Sequence, residues 1–160
     1  MVEVGAAAPD FEGTGSDGVP ISLRQLRGRP LVLYFYPKAS SLGCAREAQE
    51  FARNYPEFER RGVALVGVSV DSVEAQRRFA EECRLPFPLV ADRSGSIARA
   101  YGVLGLLGMA KRVTFFVGSD GRVEEIVSGI RPQPHVRRAV ERLSSAPPRD
   151  EPGRTTPGAP

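Results

Sequence analysis

Apolar residues in this chain fall into short continuous runs that alternate with longer stretches where they recur every three or four positions. Leu31–Tyr36 is an aliphatic and aromatic run that reads as a buried strand, and Pro37 stops it. After a short Ser/Gly loop, Cys44, Ala48, Phe51, Tyr55 and Phe58 recur at helical spacing, which predicts a helix over 44–60. Pro56 falls inside that pattern, so a kink or break is expected just before it, with Gly62 as the helix end. Val63–Val70 is continuously apolar, the pattern of a central strand buried on both faces. Asp71 or Ser72 then caps a helix that runs to about Arg84.

Val19–Leu23, after the Ser16-Asp17-Gly18 turn signal, reads as a short strand entering a helical turn around Gln25. Downstream, Leu89–Val90 is a short strand and Ser94–Tyr101 a short helix. Val113–Val117 and Val123–Val127 flank Ser119-Asp120-Gly121-Arg122, whose Asp-Gly pair signals a hairpin. Pro134–Leu143 closes the pattern as a helix with Val136, Val140 and Leu143 on one face. This order predicts an α/β fold, a mixed central sheet with helices on both faces. Residues 1–145 form one domain, and 146–160, rich in Pro, Gly, Thr and charge, read as a disordered tail.

The chain has 160 residues, one domain's worth, with a formal net charge of +3. Arginines dominate the positive charge, and Lys38 and Lys111 are the only lysines. The Arg60-Arg61, Arg77-Arg78 and Arg137-Arg138 pairs are scattered over three helices and interleaved with Glu. That pattern is a solvated surface and argues against nucleic-acid binding. The longest apolar stretch, Val103–Ala110, is too short and Gly-rich to span a bilayer, so no membrane association is expected. The N-terminal residues lack a signal-peptide pattern, which predicts a cytoplasmic protein whose two cysteines face a reducing environment. Neither cysteine has a neighbour at zinc-ligand spacing, so no metal is expected. The single histidine, His135, lies beside Pro134 near a helix start and reads as a surface residue.

The chemistry concentrates at Cys44. A thiol at a strand–loop–helix junction lies where backbone N–H groups are unpaired and the helix dipole favours an anion. An ordinary thiol is mostly protonated at neutral pH, and the thiolate is the nucleophile, so this position suits a reactive cysteine. The motif Pro37-x-x-x-Ser41-x-x-Cys44 resembles the active-site signature of peroxiredoxins, the AhpC/TSA superfamily. The likeness covers most of residues 4–145. Tyr34-Phe-Tyr-Pro-Lys38, Gly43-Cys44, Glu47-Ala48, Gly67-Val-Ser-Val-Asp71, Leu85-Pro-Phe-Pro-Leu89 and Lys111-Arg-Val-Thr-Phe115 are similar to the peroxiredoxin Q group, also called bacterioferritin-comigratory proteins.

The resemblance implies a thioredoxin-like fold and a thiol-dependent peroxidase that reduces hydrogen peroxide and organic hydroperoxides. It makes Cys44 the peroxidatic thiolate, oxidised to sulfenic acid, and sets Arg112 against its sulfur. Ser41, where Thr is usual, hydrogen-bonds the peroxide; Pro37 shields the site from water; Glu47 orients the arginine. No cofactor is implied, and a thioredoxin-like thiol is the implied reductant, with the chain acting as a monomer or weak homodimer. Two positions depart from the group's pattern. Gln49 stands where many members carry a second cysteine, and Leu42 replaces a common Pro.

Cys83 has two readings. Its i, i+4 relation to Phe79 suits a core-facing residue, whereas some relatives place a resolving cysteine in this helix, which implies a Cys44–Cys83 disulfide. Leu104–Met109 reads as ordinary packing, with an apolar collar near the active site that admits lipid peroxides or a partner as the alternative. Two other functions fit a reactive cysteine: a peroxide sensor relaying oxidation to a partner, and a thioredoxin-type thiol–disulfide oxidoreductase. The latter wants Cys-x-x-Cys, and Cys44 is followed by Ala45-Arg46-Glu47.

Overall fold

The computed structural model describes residues 1–145. The segment 146–160, read above as a tail, lies outside the described residues. The strands are β1 (Glu12–Gly15), β2 (Pro20–Ser22), β3 (Leu31–Phe35), β4 (Ala64–Ser69), β5 (Leu89–Ala91), β6 (Val113–Val117) and β7 (Val123–Ser128). The helices are α1 (Leu42–Arg60), α2 (Val73–Glu82), α3 (Ser96–Ala100) and α4 (Pro132–Leu143), with a 3-10 turn at Arg24–Leu26. These strands form one sheet in the order β2-β1-β5-β4-β3-β6-β7. β3, β4 and β5 run parallel, and the remaining pairs are antiparallel, so the sheet is mixed as the pattern predicts.

Side-chain alternation on β3 divides the core. Leu31, Leu33 and Phe35 join one apolar cluster with Ile97 and Ala98 of α3, while Val32 and Tyr34 join the other with α1, α2 and α4. Helices therefore cover both faces of a thioredoxin-like sheet. Cys44 lies in the second cluster, with Ala48, Phe51 and Phe58 below it on α1.

Three expectations need correction. α1 is continuous through Pro56. Phe51 and Phe58, fully buried on either side of it, hold the helix on the sheet across the missing N–H. Gly62 does end the helix: its φ is 67°, its N–H bonds Glu59 O at 3.1 Å, and Val63 N–H bonds Phe58 O at 2.9 Å. α4 begins at Pro132, two residues earlier than predicted, because Pro is at home in a first helical turn. α2 stops at Glu82, so Cys83 is its C-terminal cap residue and Arg84 takes a left-handed φ of 51°. One strand, β1, has no counterpart in the sequence reading.

Candidate active site

Ser41 caps α1, its Oγ accepting a long bond of 3.4 Å from the Cys44 N–H. Cys44 is thus in the first turn, 2% exposed, over unpaired N–H groups of the helix start. The loop before it is held from outside. Asp71 Oδ2 accepts from Ala39 N–H at 2.7 Å, and Ser40 adopts a left-handed φ of 68° between that anchor and the cap.

Arg112 directly precedes β6, on the face that also presents Thr114 and Phe116 to α1 and α4. Its Nη2 approaches Cys44 Sγ at 3.3 Å, passing over Gly43. Its Nε donates to Ile130 O at 2.8 Å, and its Nη1 is paired with Glu47 Oε1 on α1. The guanidinium is fixed from three sides. The Arg112 side chain is 7% exposed and that of Glu47 fully buried. Burial pushes the Glu47 carboxyl up to about 7, against the opposing pull of Arg112, and its Oε2 has no partner. Burial works against the charge of Arg112, but Glu47 and then Cys44 more than compensate, holding the guanidinium firmly protonated.

Pro37 is half-buried and lines a cavity of about 610 Å³ with Arg112, Val113 and Ile130. The structure therefore gathers Cys44, Ser41, Glu47 and Arg112 in direct contacts, with Pro37 at the edge of the space beside Arg112. Cys83 is a half-buried free thiol at the end of α2, packed at the margin of the same core cluster. Burial raises its pKa, and Glu82 adds to the rise. Among the described residues no group of three or more His, Cys, Asp or Glu could hold a metal ion, and no helix is long and apolar enough to cross a membrane.

Two readings fail here. His135 is fully buried: its Nδ1 lies 2.8 Å from Thr114 Oγ1 and its Nε2 2.8 Å from Gly129 O. The i, i+4, i+8 series His135, Ala139, Leu143 carries that signal, since all three face the core. Leu104–Met109 is not packing throughout, because Leu106 and Leu107 are exposed at the tip of a turn closed by Gly105 N–H to Met109 O. The sequence reading also missed a buried chain of hydrogen bonds behind the loop. Tyr36 Oη donates to Gln76 Oε1, Gln76 Nε2 to Ser69 Oγ at 2.9 Å, and Ser69 Oγ to Asp71 Oδ2 at 2.6 Å. Asp71 is therefore a loop anchor, and Ser72 caps α2.

A cysteine held this way at the end of a thioredoxin-like sheet belongs to the class of cysteine-based redox enzymes. Comparison narrows the class. The AhpC/TSA family model matches residues 4–126. A "putative peroxiredoxin bcp" of Helicobacter pylori is 35% identical over 149 residues, covering 89% of this chain and 98% of the relative. A chloroplastic peroxiredoxin Q of Sedum lineare is 32% identical over 147 residues, covering 90% and 79%. The peroxidoxin BcpB of Mycobacterium tuberculosis superposes with a TM-score of 0.84 at 35% identity, covering 91% and 98%. The bacterioferritin comigratory protein of Xanthomonas campestris, solved in a study of its alkyl peroxide reduction, gives 0.81 at 31% identity, covering 91% and 97%.

The chain belongs to the AhpC/TSA family, the peroxiredoxins, in its peroxiredoxin Q branch. It is a thiol-dependent peroxidase, with a peroxide as substrate and a thiol as reductant.

Proposed function

We propose that Cys44 is the peroxidatic residue and that it reduces hydrogen peroxide and organic hydroperoxides. The observation that carries this reading is the 3.3 Å approach of Arg112 Nη2 to the Cys44 sulfur in a site almost closed to water. In the reaction the thiolate attacks the distal oxygen of the peroxide, the S–O bond forms as O–O breaks, and an alcohol or water leaves once protonated. Charge growing on the leaving oxygen meets donors already in place: the Arg112 guanidinium, the Ser41 hydroxyl and backbone N–H groups. Glu47 and the Ile130 carbonyl keep the guanidinium aimed without further reorganisation. Pro37 limits water at the rim. The cavity beside Arg112 has room for the organic part of a hydroperoxide.

Cys44 leaves the step as sulfenic acid. In the second part of the reading Cys83 attacks that sulfur, expelling water and forming a Cys44–Cys83 disulfide. A thioredoxin-like dithiol then exchanges with the disulfide, becoming oxidised itself. The half-buried thiol of Cys83 at a helix end supports this assignment over a purely packed residue. The enzyme works in the cytoplasm as a monomer or weak homodimer, and sedimentation showing a stable oligomer at micromolar concentration overturns the second point.

Intact mass after one equivalent of peroxide tests the whole scheme. Loss of two hydrogens is expected. Gain of one oxygen, persisting, removes Cys83 from the cycle and leaves regeneration to an outside thiol. A folded Cys44→Ser protein should turn over no peroxide, and turnover by it overturns the assignment of Cys44.

A further inference from the structure

His135 is a fully buried ionisable group that the scheme above does not use. Its two nitrogens are both engaged, and the partners fix its state. The Gly129 carbonyl can only accept, so Nε2 carries the hydrogen of the 2.8 Å contact. Burial, and less strongly the nearby Arg112 charge, favour the neutral ring, although the Gly129 carbonyl pulls the other way. Nδ1 therefore accepts the Thr114 hydroxyl.

What this bond holds is the turn between β7 and α4. Gly129, at φ 138°, is tied on one side to His135 through its carbonyl and on the other to the Arg112 carbonyl through its N–H at 3.3 Å. The next carbonyl along, that of Ile130, receives the Arg112 Nε at 2.8 Å. Ile130 has an exposed side chain, so its own packing does little to steady that carbonyl. Glu47 approaches Arg112 from α1 and the turn approaches it from the sheet edge. Either support alone leaves the guanidinium free to swing about the other.

We infer that His135 is a positioning residue for the peroxidase reaction, its Nε2–H locking the Gly129–Ile130 turn so that the Ile130 carbonyl aims Arg112 at Cys44. The inference rests on the reading of Arg112 as the group that activates Cys44. It concerns the bond to Gly129 and not the presence of a buried ring, which makes it separable from a packing role.

The test exploits the two nitrogens. Glutamine carries an amide N–H near the place of Nε2, asparagine only near that of Nδ1. His135→Asn should slow the second-order oxidation of Cys44 by hydrogen peroxide by roughly tenfold to a hundredfold. His135→Gln should restore most of that rate. Thr114→Val removes the other bond of the ring and should melt lower but oxidise at the wild-type rate. If the Asn and Gln variants oxidise alike, or if rates across all three variants simply follow melting temperature, the inference is overturned. A further check needs no variant: nitrogen NMR of the wild-type protein should find His135 with its hydrogen on Nε2, and the opposite tautomer overturns the inference even where the Asn variant fails to fold. Arg112→Met serves as the outer control. An unchanged rate there removes the reading of Arg112 itself, whereas a slow Arg112→Met beside a fast His135→Asn removes the role of His135 alone.

Discussion

In the proposed mechanism two side chains bear most directly on the reactivity of Cys44. Arg112 gives it a fixed positive charge and donors, so Arg112→Met should slow oxidation by peroxide by roughly a hundredfold or more, as loss of a preorganised donor does elsewhere. Arg112→Lys should recover only part of this. An ammonium cannot hold Glu47, the Ile130 carbonyl and the sulfur in one plane. Stopped-flow oxidation rates equal to wild type in both variants would sink the assignment. Glu47 has the opposite character, a carboxylate that burial disfavours. Its folded value of about 7 lies above its ordinary 4.5, so the folded state holds the extra proton between those values. The stability this contributes is complete below pH 4.5 and lost as pH rises through about 7. Glu47→Gln removes that dependence, so the variant's stability relative to wild type should climb across this window in urea titrations. A difference independent of pH would show that Glu47 is not proton-linked. At this scale the sequence exposed residues whose chemistry is local, such as a cysteine at a helix start. It hid the tertiary partners of His135 and Asp71, since the ring bonds Thr114, 21 positions away, and the carboxylate bonds Ala39, 32 positions away.

Among the elements, the ends of α1 and α2 matter most, since one begins beside Cys44 and the other ends at Cys83. Helix ends are among the least stable parts of a fold, and both cysteines are free thiols here. Cys83→Ser should be oxidised by its first equivalent of peroxide at close to the wild-type rate, then fail to regenerate with thioredoxin and overoxidise sooner. Normal steady-state turnover of this variant with thioredoxin would make Cys83 a packing residue. The helices and central strands were legible because their faces are apolar at a fixed period, as in β6, where 113–117 was read and found without shift. β1 was not. Its sequence Glu-Gly-Thr-Gly has no apolar face, and it is a strand only because β2 and β5 pair with it on either side. Pro56 misled for a related reason: a local rule against proline was outweighed by aromatic packing two turns long.

Across the whole molecule, the proposed disulfide makes the fold a cycle between a closed and a locally opened state. Hydrogen exchange should then locate the opening. On oxidation the amides of the first turn of α1 and the last turn of α2 should exchange faster, while those of β3, β4 and β6 stay protected. Uniform protection in both states would mean that the cysteines meet without unwinding. The hydrogen-bonded run from Tyr36 through Gln76 and Ser69 to Asp71 and the Ala39 N–H spans the loop, the sheet and α2. The links meet at Ser69 Oγ and Asp71 Oδ2, which join the tie of the loop to that of α2. Beneath them lies an aromatic layer of Tyr34, Tyr36, Phe79 and Phe87. In the proposed cycle, opening of the last turn of α2 exposes Phe79 of this layer for as long as the disulfide waits for its reductant. Under that proposal the solubility of the protein in a crowded solution is tied to reductant supply: a starved enzyme should accumulate in its stickiest form, and colloidal stability should become a readout of oxidant load.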